Sequence, residues 1–389
     1  MIVELHILQN FAPSCLNRDD TNSPKECEFG GYRRARISSQ CIKRSIRWNG
    51  IFRELLKNHL SSRSLKFPNQ VYEDLIKLNV AEPIAREIGK GLVAIAKKEA
   101  AKGEVEMETG DNKTVKDKKV KDTYELDIFK TPQMVFYTND EVSYCANKIK
   151  ILLDKGLKPM EVLKKDKKGK FENLDSFPIP HSVDIGLFGR MVTSAHFSNI
   201  DAACQVAHAI STHKVGREFD FYTAVDDLPK EDETGAGMMG DIEFNSACYY
   251  RYANIDMGQL KHNLDDDELA HKAVEAFIRA AISAIPSGKQ TSFSAQNPPD
   301  FIFAVVRDSG AWSLANAFSN PVKTNGDLVA DSIDALSTYW NKIYTIYGSD
   351  GIKAKPVVAL RGSKFDGLDR VNNIDELVAK VNIAIAAKK

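Results

Sequence analysis

The sequence predicts an α+β fold: a ferredoxin-like sheet of the RRM type carrying two insertions. Three observations predict it. Strand-like and helix-like segments run strand, helix, strand, strand, helix, strand once residues 57–180 and 214–241 are set aside, which is the ferredoxin-like order. The 389 residues amount to about two or three domains at ~150 residues each, and 43% hydrophobic content is ordinary for a globular chain. No apolar run approaches the ~18 residues of a membrane span, so no membrane partner is expected.

Each element has its own signal. Apolar residues at 2, 3, 5, 7 and 8 read as a partly buried strand. A loop rich in Asn, Asp, Ser, Pro and Gly spans 10–31. Ser38 or Ser39 is a natural N-cap for a helix running on through Leu55 and Leu56. Helical stretches at 71–78, 84–98 and 141–153 alternate with two lysine tracts. The first, 97–122, holds eight Lys against seven acids and reads as a solvated excursion, whereas the second, 155–170, holds seven Lys against two acids. Val183–Val192 reads as a strand with glycine interruptions and 202–213 as a helix. Residues 214–241 are too long for a turn and read as a protruding loop or hairpin. Strands are expected at 244–255 and 300–307, with helices at 266–285 and in the tail. There Ile374, Leu377, Val378, Val381 and Ile385 share a face, and Lys388 and Lys389 stand at the C-terminal end. The expected division is a discontinuous sheet domain (1–56, 181–213 and 242–389), a helical insertion (57–180) and a protruding loop (214–241).

Charge narrows the function. Fifty-three Lys and Arg cancel fifty-three Asp and Glu, which argues against coating nucleic acid by bulk positive charge. The distribution is uneven, however. Between Glu28 and Glu54 lie Arg33, Arg34, Arg36, Lys43, Arg44, Arg47 and Arg53 with no acid among them. Gln40, Lys43 and Arg47 fall at i, i+3 and i+7 on one helical face, with Arg44 alongside. A helix N-terminus, the Ser38 and Ser39 hydroxyls and stacked cations suit a phosphodiester backbone better than a merely solvated face. Lys289 and Gln290 lie in a polar, acid-free loop that offers a second backbone contact.

Other chemistry is sparse. Asp19 and Asp20 could hold a divalent metal, but such a pair more often caps a turn or pairs with arginine. No H-E-x-x-H, G-x-S-x-G, G-x-x-x-x-G-K-[ST] or strand-linked G-x-G-x-x-G is present, so no catalytic residue, metal or cofactor is expected. The six cysteines form no C-x-x-C pair and read as reduced thiols. The first residues carry Glu4 and no basic lead, so no signal peptide is read there and the cytoplasm is the expected compartment. Met191 and the aromatics Phe219, Phe221 and Tyr222 are core candidates by default, yet an exposed apolar wedge on a basic surface can unstack a nucleic-acid strand.

Several blocks together resemble the CasC family, the repeated backbone subunit of the type I-E CRISPR surveillance complex Cascade. They are Cys15-Leu-Asn-Arg-Asp-Asp20, Phe29-Gly-Gly31, Arg33-Arg-Ala-Arg-Ile-Ser-Ser-Gln40 with Lys43-Arg44, Val183-Asp-Ile-Gly-Leu187 and Gly189-Arg-Met-Val-Thr-Ser194. Further blocks are Ala207-His-Ala-Ile-Ser-Thr-His213, Phe221-Tyr-Thr-Ala-Val-Asp-Asp-Leu228, Tyr250-Arg-Tyr-Ala-Asn-Ile255, Lys289-Gln290 and Ser313-Leu-Ala-Asn-Ala-Phe318. The middle of the chain, about 60–180, matches poorly.

The resemblance implies a hand-shaped subunit with an RRM-type palm, helical fingers and a thumb loop. Copies of it stack into a helical filament along one guide RNA (crRNA), six nucleotides each, together with the other Cascade subunits. By the same resemblance Arg18, Lys25, Ser38, Gln40, Lys43, Arg44 and Arg47 hold RNA phosphates. Met191 wedges between bases, and Tyr222 and Thr223 sit at a kink that flips every sixth base. Tyr222 stands where a relative carries Phe, so a stacking ring is kept. Lys164, Lys165, Lys167 and Lys168 resemble the fingers' cationic strip that grips target DNA. The alternative is a metal-dependent endoribonuclease like the type III backbone subunits, with Asp19 or Asp20 in the cutting role.

Overall fold

The computed structural model describes residues 1–96, 129–167, 169–225, 227, 236–323, 326–361 and 367–387. They form two compact units, Met1–Asn58 with Ala203–Lys389, and His59–Ala202.

The first unit is built around β1 (Ile2–Ser14). Its antiparallel partners are the strand Phe301–Arg307 on one side, from Ile2↔Arg307 to Leu8↔Phe301, and the long strand Ala236–Asp256 on the other. The long strand in turn pairs with Cys204–Val206 and Ala209–Ser211. Numbered by sequence, the four positions run 4-1-3-2, the ferredoxin-like order expected from the sequence. Both edges continue: Pro356–Ala359 adds to Phe301–Arg307, while β3 (Tyr32–Ile37) adds to Ala209–Ser211 and pairs with β2 (Glu26–Phe29).

Alternation along β1 sends side chains to two covered faces. Leu5 and Ile7 meet Ile42 and Ile46 of helix α1 (Ser39–Arg47). On the opposite face Leu8, Tyr250, Phe301 and Phe303 pack with Val329, Ile333, Leu336 and Trp340 of helix Leu328–Tyr347. Phe303 and Trp340 meet edge to face at 5.0 Å. The sheet face on which RRM modules stack bases is therefore occupied by the protein's own helix, and any nucleic acid must use loops and edges. Several buried polar groups on β1 find partners on neighbouring strands, although His6 Nε2 and Ser14 Oγ make no hydrogen bond among the described residues. Glu4 accepts from Tyr252 Oη, and His6 Nδ1 lies 2.9 Å from Tyr250 Oη. Gln9 Oε1 accepts from Arg251 at 2.6 Å.

Some sequence expectations fail here and in the neighbouring unit. Residues 202–213 form two short strands rather than a helix, because the long strand offers ladder partners and tertiary pairing overrides propensity. Val183–Phe188 is a helix rather than a strand. Its short apolar run fits either, and the i→i+4 bonds from Gly186 to Ser182 and from Gly189 to Ile185 decide it. The helix expected through Leu55 breaks at Trp48–Asn49, where Asn49 caps a second helix, α2 (Gly50–Leu55). The tail helix, Ile374–Ala386, buries Leu377, Val378, Val381 and Ile385, while Lys388 and Lys389 lie outside the described residues.

The second unit is mainly helical: Phe67–Lys77, Glu82–Leu92 and Asn139–Asp154 surround a core that includes Phe67, Leu75, Ile88, Ile149, Phe177 and Phe197. Residues 181–202, expected with the sheet domain, fold with this unit. Val183 N–H donates to His59 O at 2.7 Å, Ser61 donates to Asp184, and Phe177 N–H donates to His196 O. The first lysine tract, 97–122, lies outside the described residues. No helix among the described residues is long and apolar enough to cross a membrane.

Candidate nucleic-acid interface

The loop before β2 is folded on itself and fastened to α1. Lys25 N–H donates to Asn17 O at 2.8 Å, and Ser38 N–H donates to Asn17 Oδ1 at 2.9 Å. Asp19 closes the loop by accepting from the Thr21 hydroxyl, Thr21 N–H and Ser23 N–H. Those donors, the Thr21 hydroxyl first, hold its carboxyl below the ordinary carboxylate range. Arg18 is exposed on this loop and donates to Asn22. Asn17 is thus the pin that sets Arg18 and Lys25 against the helix start.

Ser38 caps α1 by accepting from Cys41 N–H, and no acid sits in the first turn. Gln40 and Arg44 are exposed, while Lys43 and Arg47 are half-buried. Burial raises the Cys41 thiol, against the pull of the Arg44 and Lys25 charges, so both cations reach the first turns of α1. A groove of about 500 Å³ runs between the loop and the helix, lined by Arg18, Asp20, Asn22, Cys41, Arg44 and Gly288, among others. A Cβ at Gly288 would sit 2.4 Å from Leu16 O, so only glycine lets the following loop approach. That approach delivers Lys289, whose charge, with that of Arg18, acts on Cys15. Gln290 spends its amide donors on Pro286 O and Ala295 O, which makes it a brace of its own loop.

The run that is acid-free in sequence is less so in space. Glu26 on β2 pairs with Arg33 at 3.4 Å and with Arg217 at 3.0 Å. Arg34 is fully buried and donates to four carbonyls, those of Ser211, Thr212, Phe318 and Ser319. Arg36 donates to Glu26 O and contacts His208. Arg18 on the pinned loop and Arg44 on the helix are exposed, with Lys25, Lys43 and Arg47 half-buried beside them.

The protruding segment is a hairpin. Glu218–Val225 pairs with the start of the long strand, with Tyr222 opposite Gly240 and Thr223 opposite Met239. A Cβ at Gly240 would lie 2.6 Å from Tyr222 Oη, so the ring covers that glycine. Phe219, Phe221, Met238 and Met239 are exposed as well. Arg217 fixes the hairpin base to Glu26 and Glu243. Residues 226 and 228–235, including Gly235, lie outside the described residues.

On the second unit Met191 is 95% exposed, directly after the buried Arg190. Arg190 donates to both Glu141 oxygens at 2.8 and 3.0 Å, to Phe136 O and to Ser198 O, and lies over the Phe197 ring. Glu141 also completes the capping box of its helix with Thr138, and burial pushes its carboxyl up against the pull of Arg190. The lysine turn is partly self-neutralised: Lys164 pairs with Glu172 at 2.6 Å and Lys165 lies 4.9 Å over the Phe171 ring. Lys167 is exposed, and Lys168 lies outside the described residues. Among the described residues, no group of three or more His, Cys, Asp or Glu is arranged to hold a metal.

The family model described as "CT1975-like protein" matches residues 3–380. No curated protein matches the sequence. A solved structure described as "CRISPR RNA-guided surveillance complex, pre-nicking" contains a chain similar at 27% identity, covering 99% of this chain and 100% of that one, with a TM-score of 0.78. A chain from a "CRISPR RNA-guided surveillance complex" shares the fold at 22% identity and a TM-score of 0.61, again over 99% and 100%.

Proposed function

This chain belongs to the CT1975-like protein family of CRISPR surveillance-complex backbone subunits, and from that premise we propose a type I-E Cascade role in which it holds crRNA without cutting it. In this reading Arg18, Lys25, Ser38, Gln40, Lys43, Arg44 and Arg47 contact phosphates, with Lys289 beside them and Gln290 as their brace. Successive copies form a filament with the other Cascade subunits in the cytoplasm. Met191, Tyr222 and Thr223 unstack every sixth nucleotide, and Lys164, Lys165, Lys167 and Lys168 meet the target DNA. The discontinuous palm, fingers and thumb of the resemblance supply the geometry of this assembly.

The observation that carries the reading is the groove between the pinned loop and α1, open, polar and flanked by Arg18 and Arg44. Cations and hydroxyls beside a capped helix start bind backbone, which leaves the reading of sequence to the guide. RNA-guided effectors of the Cas9 type divide labour the same way, with base pairing reading sequence while the protein holds backbone and shape. Balanced net charge favours stacking of identical copies, since a uniformly basic surface would repel itself.

The test is chemical probing of guide RNA in the assembled complex. Every sixth nucleotide should be hyper-reactive, and Met191→Ala should quiet that pattern while the fold and binding persist. Uniform reactivity in both proteins would contradict the kink. In the same samples, complementary RNA with Mg²⁺ should stay intact. Cuts at six-nucleotide intervals, lost in Asp19→Ala or Asp20→Ala, would establish the endoribonuclease reading instead.

A further inference from the structure

We infer that Trp48 is a stacking platform for one unpaired nucleobase of the bound RNA, at the far end of the phosphate ridge; this rests on the proposed RNA-binding role. The chain has three tryptophans. Trp340 is buried against Phe303, and Trp312 lies beneath Arg307 at 3.7 Å. Trp48 is 59% exposed.

Its backbone is nonetheless fixed. Trp48 caps the C-terminus of α1 through an N–H bond to Arg44 O at 3.1 Å. The next residue, Asn49, caps α2 through Ile51 N–H and reaches Ser283 Oγ at 3.1 Å. The indole is thus displayed on a rigid corner between two helices, where ordering it on binding costs little entropy. Two guanidiniums accompany it: the Cζ of Arg53 lies 4.7 Å from a ring centroid of Trp48 and that of Arg44 lies 6.0 Å away. An isolated exposed apolar residue needs no explanation, but an aromatic ring with a cation from each adjoining helix matches a nucleotide. The base takes the ring and the flanking phosphates take the guanidiniums. A nucleotide supplies a flat ring and phosphate charge within one unit, so it meets the indole and both guanidiniums together. Arg44 also lines the phosphate groove, which makes the platform continuous with it.

The experiment uses the full chain and an unstructured single-stranded RNA, with binding read by filter retention and stacking by tryptophan emission. RNA should quench emission, and Trp48→Phe should lose most of the quenching. Trp48→Ala should weaken binding about tenfold, equivalent to about 1.4 kcal/mol, with Trp48→Phe recovering most of it. The salt dependence should be unchanged in both variants, because the ring carries no charge. RNA retention without quenching, or wild-type affinity in Trp48→Ala, overturns the platform and leaves the phosphate ridge standing. Retention by no form of the protein overturns both. Emission that changes with protein concentration before any RNA is added assigns Trp48 to a contact between copies and also overturns the platform.

Discussion

Cations on α1 and cations of the second unit are of the same residue types but meet different fates. On α1 the helix spaces Gln40, Lys43, Arg44 and Arg47 along one side, and the nearest side chains in the segment include no acid. In the second unit the chain turns back on itself and brings acids opposite. Lys164 meets Glu172, Lys148 meets Asp175, and Arg190 is sealed against Glu141. A helix fixes neighbours at i+3 and i+4, so an acid-free stretch stays acid-free along its own face. A turn pairs residues by closure, and a lysine count along the sequence then overstates the charge available to a ligand.

The largest effect that can break this contrast is on stability. Arg190→Ala should destabilise the protein by about 3–5 kcal/mol, because Glu141 would remain buried without its partner. Arg44→Ala, exposed on α1, should stay within about 0.5 kcal/mol of the parent. Urea denaturation compares them, and similar costs would mean that the two sets of cations are not distinct in kind. A smaller effect comes from pH. Burial lowers His6 to about 3, so its folded form stays neutral while the unfolded chain takes up a proton below about 6.5. Stability from this group is therefore complete above about pH 6.5 and is lost progressively as pH falls toward 3. His6→Gln should flatten that part of a denaturation-versus-pH curve, and an unchanged slope would show that the imidazole is not the group responsible.

The sequence made the contrast only partly legible. The first and last strands of the 4-1-3-2 sheet could be read as apolar runs, whereas its second, within 204–211, reads as a helix and the expected strand falls at 183–192 instead. Ser38 could be read as a cap because hydroxyls before a periodic stretch do that work. Arg34 could not be told from Arg33 or Arg36. Its burial depends on carbonyls at 211–212 and 318–319, which only the folded chain brings to it. The helix at Val183–Phe188 was hidden for a related reason. Six apolar-rich residues fit either period, and backbone partners decide the outcome. Asn17 carried a weak signal, a polar residue in a turn-rich loop, with nothing in sequence to link it to Ser38 twenty-one positions on. Trp48 carried none, since exposure of an indole is a property of the corner between two helices.

In the proposed role the cations of the pinned loop and α1, exposed or half-buried, touch phosphate. The most direct test is the salt dependence of guide-RNA binding for the parent, Lys43→Ala, Arg47→Ala and, as the contrasting control, Lys164→Ala. The log–log slope should fall by roughly one unit for each of the first two and stay at the parent value for Lys164→Ala. A slope unchanged in Lys43→Ala and Arg47→Ala would contradict the proposed role.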